Sequence, residues 1–369
     1  MKIMIIGALP SSLYNFRGDL IIELAKKHSV VSMACGATQE EINEIKLLGC
    51  SYIDYPISRN GLNPLKDITT MLAIKKAVEQ ERPDVVISYT IKPVVWGGIG
   101  LLLSKHKSQF FPMITGLGYA FQGGSLVRNC LSFLVKSLYR LALTNANGVI
   151  FQNQDNKQIF IDNKIVNKEK CHLVNGSGVN LNDYKIEKIS TEPTFLLIAR
   201  LLKEKGIREY FIAANIVKKT YPKTIFNLVG PEDPSPDAIS KKELDHWCES
   251  GAINYHGSTT DVRKFIRESN VYVLPSYHEG MPRTTLEAMA MARPILTTNV
   301  PGCKETVVNG VNGWLVEKES GDALAKKMIW FLENSRDWPS MGAASRCMVE
   351  EKFDVNKVNL SILEILGIK

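Results

Sequence analysis

Two glutamates, Glu279 and Glu287, close the stretch Glu279-Gly-Met-Pro-Arg-Thr-Thr-Leu-Glu287. The run before it, Val271-Tyr-Val-Leu-Pro-Ser276, is apolar and reads as a buried strand. The run Thr285-Leu-Glu-Ala-Met-Ala-Met-Ala292 is rich in helix formers. Both carboxylates therefore stand where a strand hands over to a helix, the ligand face of a parallel α/β sheet. A carboxylate offers two acceptor oxygens, which suits a pair of vicinal hydroxyls. A second constellation lies upstream, Ile198-Ala-Arg200 followed by Lys203-Glu-Lys205-Gly206. An Arg fork holds phosphate oxygens in pairs and a Lys adds a point charge. Gly206 lets the backbone approach and opens a helix whose N-terminus favours anions. Taken singly, each group has a plainer reading: solvated surface cations, and a glutamate stabilised by a helix N-terminus. No two aspartates are spaced i, i+2, and the six histidines show no metal-ligand spacing.

The elements that would carry these groups alternate. Lys2–Ile6, Val30–Cys35, Asp84–Tyr89, Phe110–Thr115 and Gly148–Gln152 read as strands. Asn15–Lys27, Glu40–Leu48, Ile68–Glu81 and Leu126–Thr144 read as helices between them. This alternation predicts a doubly wound parallel sheet. The polar stretch Lys185–Pro193 is the expected linker, and the strand pattern restarts at Thr194–Ile198. The expected division is 1–185, then 190–350, then a C-terminal helix over 351–369.

The chain has 369 residues and a formal net charge of +7, so mean charge decides little. Its distribution is more informative. No Asp or Glu occurs between Val85 and Gln154, a stretch that holds Lys92, Lys105, Lys107, Arg128, Lys136 and Arg140. A basic, acid-free face suits an anionic partner, with nucleic acid and an anionic membrane surface as candidates. A buried stretch depleted of charge is the bland alternative. The seven cysteines are scattered without a CxxC, which fits a reducing cytoplasm. Met1–Gly7 is too short for a signal-peptide core, and Val94–Leu103 is too short to span a bilayer.

The motif Glu279–Glu287 resembles the paired-glutamate signature of the family 4 glycosyltransferases, which are retaining enzymes with the GT-B fold. That fold has two Rossmann-like doubly wound α/β domains facing a cleft. Arg200 and Lys205 are similar to the family's pair for the donor diphosphate, and Pro301-Gly302, Glu305, Gly310 and Gly313 also fit its pattern. The resemblance implies a catalytic set of Arg200, Lys205 and Glu279. It implies donor binding by Glu287 at the ribose, with Gly280, Met281, Pro282, Thr285 and Ser12 around the sugar nucleotide. Ser11 is a further candidate in the loop Gly7-Ala-Leu-Pro-Ser-Ser12. On the acceptor side it points to Arg17, Thr115, Gly116 and Tyr119. Family relatives often carry a His or an acid near Thr115; its absence favours front-face substitution, where the leaving phosphate takes the acceptor proton.

The combination of Tyr14-Asn-Phe-Arg17, Ser58-Arg59-Asn-Gly-Leu-Asn-Pro64, Gly116-Leu-Gly118 and Pro275-Ser-Tyr-His-Glu-Gly280 narrows the resemblance. It looks most like bacterial α-1,3-N-acetylgalactosaminyltransferases acting on undecaprenyl-diphosphate-linked sugars in O-antigen and lipid-linked glycan assembly. The implied partners are a UDP-sugar, a polyprenyl-diphosphate-linked sugar and an anionic membrane surface, with no nucleic acid. No cofactor or metal is expected, since the cations replace one. The helix carrying Arg128, Lys136 and Arg140 among leucines is the expected headgroup face of a peripheral enzyme on the cytoplasmic side of the inner membrane. Three alternatives stay open: a transferase of another UDP-hexose or of UDP-GlcNAc in the same pathway class, a GT-B-like UDP-GlcNAc epimerase, and a basic nucleic-acid-binding protein, which would lack any recognised motif.

Overall fold

A computed structural model describes residues 1–58, 64–117, 121, 126–235 and 237–368. The chain divides into two compact units, Met1–Ser177 with Asn356–Lys369, and Gly178–Val355. Each is a parallel α/β sheet between helices.

In the first unit the elements alternate as β1 (Lys2–Ile6), α1 (Pro10–Ala25), β2 (Ser29–Ala34), α2 (Gln39–Leu47), β3 (Ser51–Asp54), α3 (Pro64–Glu81) and β4 (Val85–Tyr89). They continue as α4 (Ile91–Leu103), β5 (Gln109–Ile114), α5 (Leu126–Ala142), β6 (Val149–Phe151), α6 (Gln154–Asp162) and β7 (Cys171–Leu173). The strand order is β3-β2-β1-β4-β5-β6-β7, all parallel. The chain leaves β1 towards β2 and later returns to β4 on its other side, so the topological switch point lies between β1 and β4. Strands β1 and β4 are buried on both faces, which is why they read as continuous apolar runs.

The second unit runs β8 (Thr194–Ile198), α7 (Ile207–Thr220), β9 (Ile225–Val229), α8 (Lys241–Glu249), β10 (Asn254–Tyr255), α9 (Arg263–Arg267) and β11 (Val271–Leu274). It ends with α10 (Arg283–Ala290), β12 (Ile295–Thr298), β13 (Gly313–Val316), α11 (Gly321–Glu333) and α12 (Trp338–Met348). The order β10-β9-β8-β11-β12-β13 puts its switch point between β8 and β11.

The last helix, α13 (Val355–Leu366), belongs to the first unit beyond its first residue. Val358, Ile362 and Leu366 join the buried cluster of Ile3, Leu20, Ile21 and Leu24. The division falls after Ser177, earlier than the expected 185. Val179 exchanges backbone bonds with Phe353 and Val355 at 2.9 and 3.1 Å. The expected linker is likewise fastened to the second unit. Arg293, fully buried, donates to the carbonyls of Ile266, Glu187, Lys188 and Arg267.

Candidate active site

The two constellations read from the sequence meet at the switch point of the second unit. The loop after β8 carries Arg200 and Lys205; the loop after β11, its neighbour in the sheet, carries Glu279. Lys205 Nζ lies 2.6 Å from Glu279 Oε1, and both side chains are only 15 % exposed. Ser276 Oγ donates to the same oxygen at 2.7 Å. Two glycines let the loops close. Gly206 sits at φ +70° and a Cβ there would lie 2.2 Å from the carbonyl oxygen of Pro275. Gly302, at φ +85°, would place a Cβ 2.6 Å from the Glu279 carbonyl carbon and oxygen. A side chain at either position would push Lys205 and Glu279 apart. The backbone amide of Glu279 donates to Pro301 at 3.0 Å, and the Gly302 amide to Glu305 at 2.8 Å.

Glu287 is buried in α10, on the turn after the loop. Arg283 Nε donates to its Oε1 at 2.9 Å, one helical turn back. Burial pushes the Glu287 carboxyl up; Arg283 and a hydrogen bond from Tyr184 pull against that rise. Tyr272 stands near both acids. Its hydroxyl is pushed up by burial first, then by the charges of Glu287 and Glu279. Its hydroxyl oxygen lies 2.6 Å from Thr284 Oγ1 and 3.2 Å from the Ile198 carbonyl, which accepts its proton, so it ties β8 to the first turn of α10. That helix starts at Pro282 without a side-chain cap. Within its first turn Thr285 Oγ1 is buried with no hydrogen-bond partner among the described residues. Gly280 is buried, and half-buried Met281 packs on the apolar cluster below the loop.

Arg200 departs from the expected pairing with Lys205. Its guanidinium is half exposed and bonds Asp233 Oδ2 at 2.9 Å, in the loop after β9. Burial raises the Asp233 carboxyl, but two hydrogen bonds from Ser235 and the charge of Arg200 outweigh it and leave it below its ordinary value.

In the first unit several expectations are corrected. The helix α1 starts at Pro10 rather than Asn15, because proline is pre-set for a first helical turn. Ser11 and Ser12 therefore lie on that turn and not in an open loop. The Ser12 hydroxyl is already engaged, by the Leu9 carbonyl at 2.6 Å and by Tyr89 at 2.8 Å. Arg17, expected at an acceptor, is buried; its guanidinium lies 5.2 Å from the Tyr89 ring centroid and donates to the Phe16 carbonyl. Burial pushes Tyr89 up to about 12 against the pull of Ser12 and Arg17. Thr115 and Gly116 follow β5 and are half-buried, with open space where a Gly116 Cβ would stand. Tyr119 lies outside the described residues, as do Arg59–Asn63 and Gly118 of the quoted motifs.

On α5, the Arg128 side chain is likewise outside the described residues. Lys136 is half-buried. Arg140 is exposed, yet its guanidinium caps the C-terminal carbonyls at Asn163 and Lys164, which narrows its expected role at headgroups. Phe133 and Leu134, by contrast, are 71 % and 52 % exposed.

Sequence reading missed Tyr184, Asp233, Ser276 and Arg283. Only Arg283 had a visible signal, its i, i+4 spacing to Glu287. Among the described residues there is no group of three or more side chains able to hold a metal, and no helix long and apolar enough to cross a membrane.

Comparison with known proteins gives consistent matches for both units. Residues 180–347 match the family described as Glycosyl transferases group 1, and residues 2–153 that described as Glycosyl transferase 4-like. The chain is 27 % identical over 350 residues to the N,N'-diacetylbacillosaminyl-diphospho-undecaprenol alpha-1,3-N-acetylgalactosaminyltransferase of Campylobacter jejuni, covering 91 % of this chain and 90 % of that protein. It is 24 % identical to the Escherichia coli UDP-Gal:alpha-D-GlcNAc-diphosphoundecaprenol alpha-1,3-galactosyltransferase, over 74 % of this chain and 73 % of the other. Among solved structures, Anabaena HepE in complex with UDP and glucose superposes with a TM-score of 0.80 at 17 % identity, covering 100 % of this chain and 99 % of that one. With both matched families, the two switch-point sheets and this structural likeness, the chain belongs to the family 4 glycosyltransferases of the GT-B fold.

Proposed function

We propose that this protein is a retaining glycosyltransferase that moves a sugar from a UDP-sugar to an undecaprenyl-diphosphate-linked sugar, in O-antigen or surface-glycan synthesis. The favoured transfer is of N-acetylgalactosamine in α-1,3 linkage, which rests on the likeness to the Campylobacter enzyme. The observation that carries the donor half is the Lys205–Glu279 pair at the switch point, with Glu287 buried beyond it.

In this reading the UDP ribose donates its hydroxyls to Glu287, and the hexose meets Glu279. Lys205 spends one of its three N–H donors on Glu279 and has two left for diphosphate oxygens. Arg200 adds a second cation. As the bond between the anomeric carbon and the phosphate oxygen breaks, these cations take up the charge on UDP, and no metal is required. The acceptor hydroxyl attacks the same face of the sugar, and its proton passes to the departing phosphate oxygen. Supporting this front-face course, Thr115 stands where a base or nucleophile would otherwise be sought.

Exposed Phe133 and Leu134 beside Lys136 support a peripheral seat on an anionic membrane at its cytoplasmic face, where the lipid-linked acceptor resides. The test is a panel of UDP-sugars with a short-chain polyprenyl-diphosphate sugar. The reading predicts a longer lipid-linked saccharide with the donor's anomeric configuration kept. Release of free sugar without transfer, or an inverted product, would overturn it.

A further inference from the structure

Thr90 follows β4 directly and precedes α4, with φ 68° and ψ 160°. This backbone region is left almost entirely to glycine, and a β-branched residue there is strained. Its hydroxyl is a second anomaly: Oγ1 is buried with no hydrogen-bond partner among the described residues. Threonine commonly caps a helix through that oxygen, yet α4 begins without a side-chain cap. Glycine would relieve the strain and valine would remove the orphaned hydroxyl. A strained backbone and an orphaned hydroxyl on one residue call for an explanation beyond regular secondary structure.

The position of Thr90 gives both a meaning. It stands at the carboxyl end of β4, which with β1 flanks the switch point of the first unit. Gly7 follows β1 and Thr115 follows β5, the strands on either side. Of the polar groups beside it in sequence, Tyr89 and Lys92 have partners, whereas Ser88 Oγ, two residues back in β4, is also buried with no partner among the described residues. Tyr89 bonds Ser12 at 2.8 Å. Lys92, in the first turn of α4, pairs with Asp67 of α3 at 2.7 Å, with side-chain exposures of 15 % and 8 %.

We infer that Thr90 is an acceptor-binding residue whose hydroxyl bonds an oxygen of the acceptor molecule. This rests on the transferase reading above. A hydroxyl carries one donor and two acceptor sites, so it serves a saccharide hydroxyl or a diphosphate oxygen equally. The strained backbone holds it at the switch point in one orientation.

Three variants test this in the full-length protein. Thr90→Val keeps the branched shape and loses the hydroxyl; Thr90→Ser keeps the hydroxyl; Thr90→Gly removes hydroxyl and strain together. Acceptor kinetics are measured with the polyprenyl-diphosphate sugar and, in a second arm, with an alkyl glycoside of the same sugar lacking diphosphate. UDP affinity is measured by calorimetry and thermal midpoint by scanning. Expected for Thr90→Val is a roughly 10–100-fold fall in kcat/KM for the lipid-linked acceptor, with UDP affinity unchanged. Thr90→Ser stays within about 3-fold of wild type by the same reasoning. Thr90→Gly melts about 2–4 °C higher yet shows the loss of the valine variant. A loss repeated with the alkyl glycoside assigns the bond to a saccharide hydroxyl; a loss confined to the diphosphate acceptor assigns it to a phosphate oxygen. Wild-type acceptor kinetics in Thr90→Val overturn the inference, as does full activity in Thr90→Gly should the valine variant fail to fold. A wild-type protein that transfers no sugar from any donor instead overturns the transferase reading beneath it.

Discussion

Glu279→Gln separates the two roles assigned to the Lys205–Glu279 pair. The Glu279 carboxylate lies 2.6 Å from the Lys205 ammonium. A phosphate oxygen bound on the far side of that ammonium would be at most about 5.4 Å from the carboxylate, allowing ~2.8 Å for the second hydrogen bond. Two like charges at that separation repel by about 3 kcal/mol at an effective dielectric of ~20 and about 0.8 kcal/mol at ~80. At 15 % exposure an intermediate figure of about 1.5 kcal/mol per phosphate charge is apt, which is roughly tenfold in affinity. Glutamine keeps the shape of the side chain and removes the charge. Glu279→Gln is therefore expected to bind UDP about tenfold more tightly than wild type, while sugar transfer falls by roughly 10²–10³ because the hexose loses its charged acceptor. Titration calorimetry with UDP measures the first effect and a transfer assay the second. Lys205→Ala should weaken UDP binding, and the double variant should show coupling between the two sites. Weaker UDP binding in Glu279→Gln would refute the claim that the carboxylate and the phosphate repel across the ammonium they share. Undiminished transfer would refute the sugar contact.

Other perturbations probe the remaining groups. Arg200→Ala is expected to cut transfer by about 10²–10³ while shifting the melting temperature by under about 2 °C, since a half-exposed ion pair contributes only ~0–1 kcal/mol. A large loss of stability with unchanged transfer would make Arg200 structural. In the proposed function Glu287 binds the ribose hydroxyls as an anion, and burial raises its pKa above the ordinary 4.5. UDP affinity should therefore fall as pH drops through that raised value, and Glu287→Gln should flatten the dependence; a flat wild-type profile from pH ~7 down to ~4.5 would count against the ribose role. Arg293→Ala should destabilise the second unit by about 3–5 kcal/mol in urea unfolding, because four carbonyls lose a charged donor inside the core. Burial lowers the Arg293 pKa to about 10, so it remains a cation at neutral pH. A loss below about 1 kcal/mol would show that the 185–190 segment is held by other contacts.

Several elements were legible because their signals are local. The strands Lys2–Ile6 and Thr194–Ile198 occupy the residues read from their apolar runs, and Val271–Leu274 fills the first four residues of the run read to Ser276. The helices were found with ends displaced. Pro10, pre-set for a first helical turn, is the local mark of the start of α1, ahead of the Asn15 expected from the sequence. The helix α4 was missed: Val94–Leu103 is apolar on every side, so no helical stripe stands out. Strand β3 has no fully buried residue and carried no alternation to read.

The chemistry followed the same line. Residue types and spacing along the chain determined that two carboxylates, an arginine and a lysine stand after strands, where a parallel sheet binds ligands. Which strands are neighbours is not written in any local run. The order β10-β9-β8-β11-β12-β13 set the Lys205 loop beside the Glu279 loop, and it took Arg200 to Asp233 instead. Tertiary packing also decided that Arg17 is buried over Tyr89 and that Tyr184 reaches Glu287. The physical reason is that a side chain's partners depend on strand order and burial. Both come from the collective fit of distant apolar surfaces, whereas the type of each element comes from its nearest neighbours in the chain.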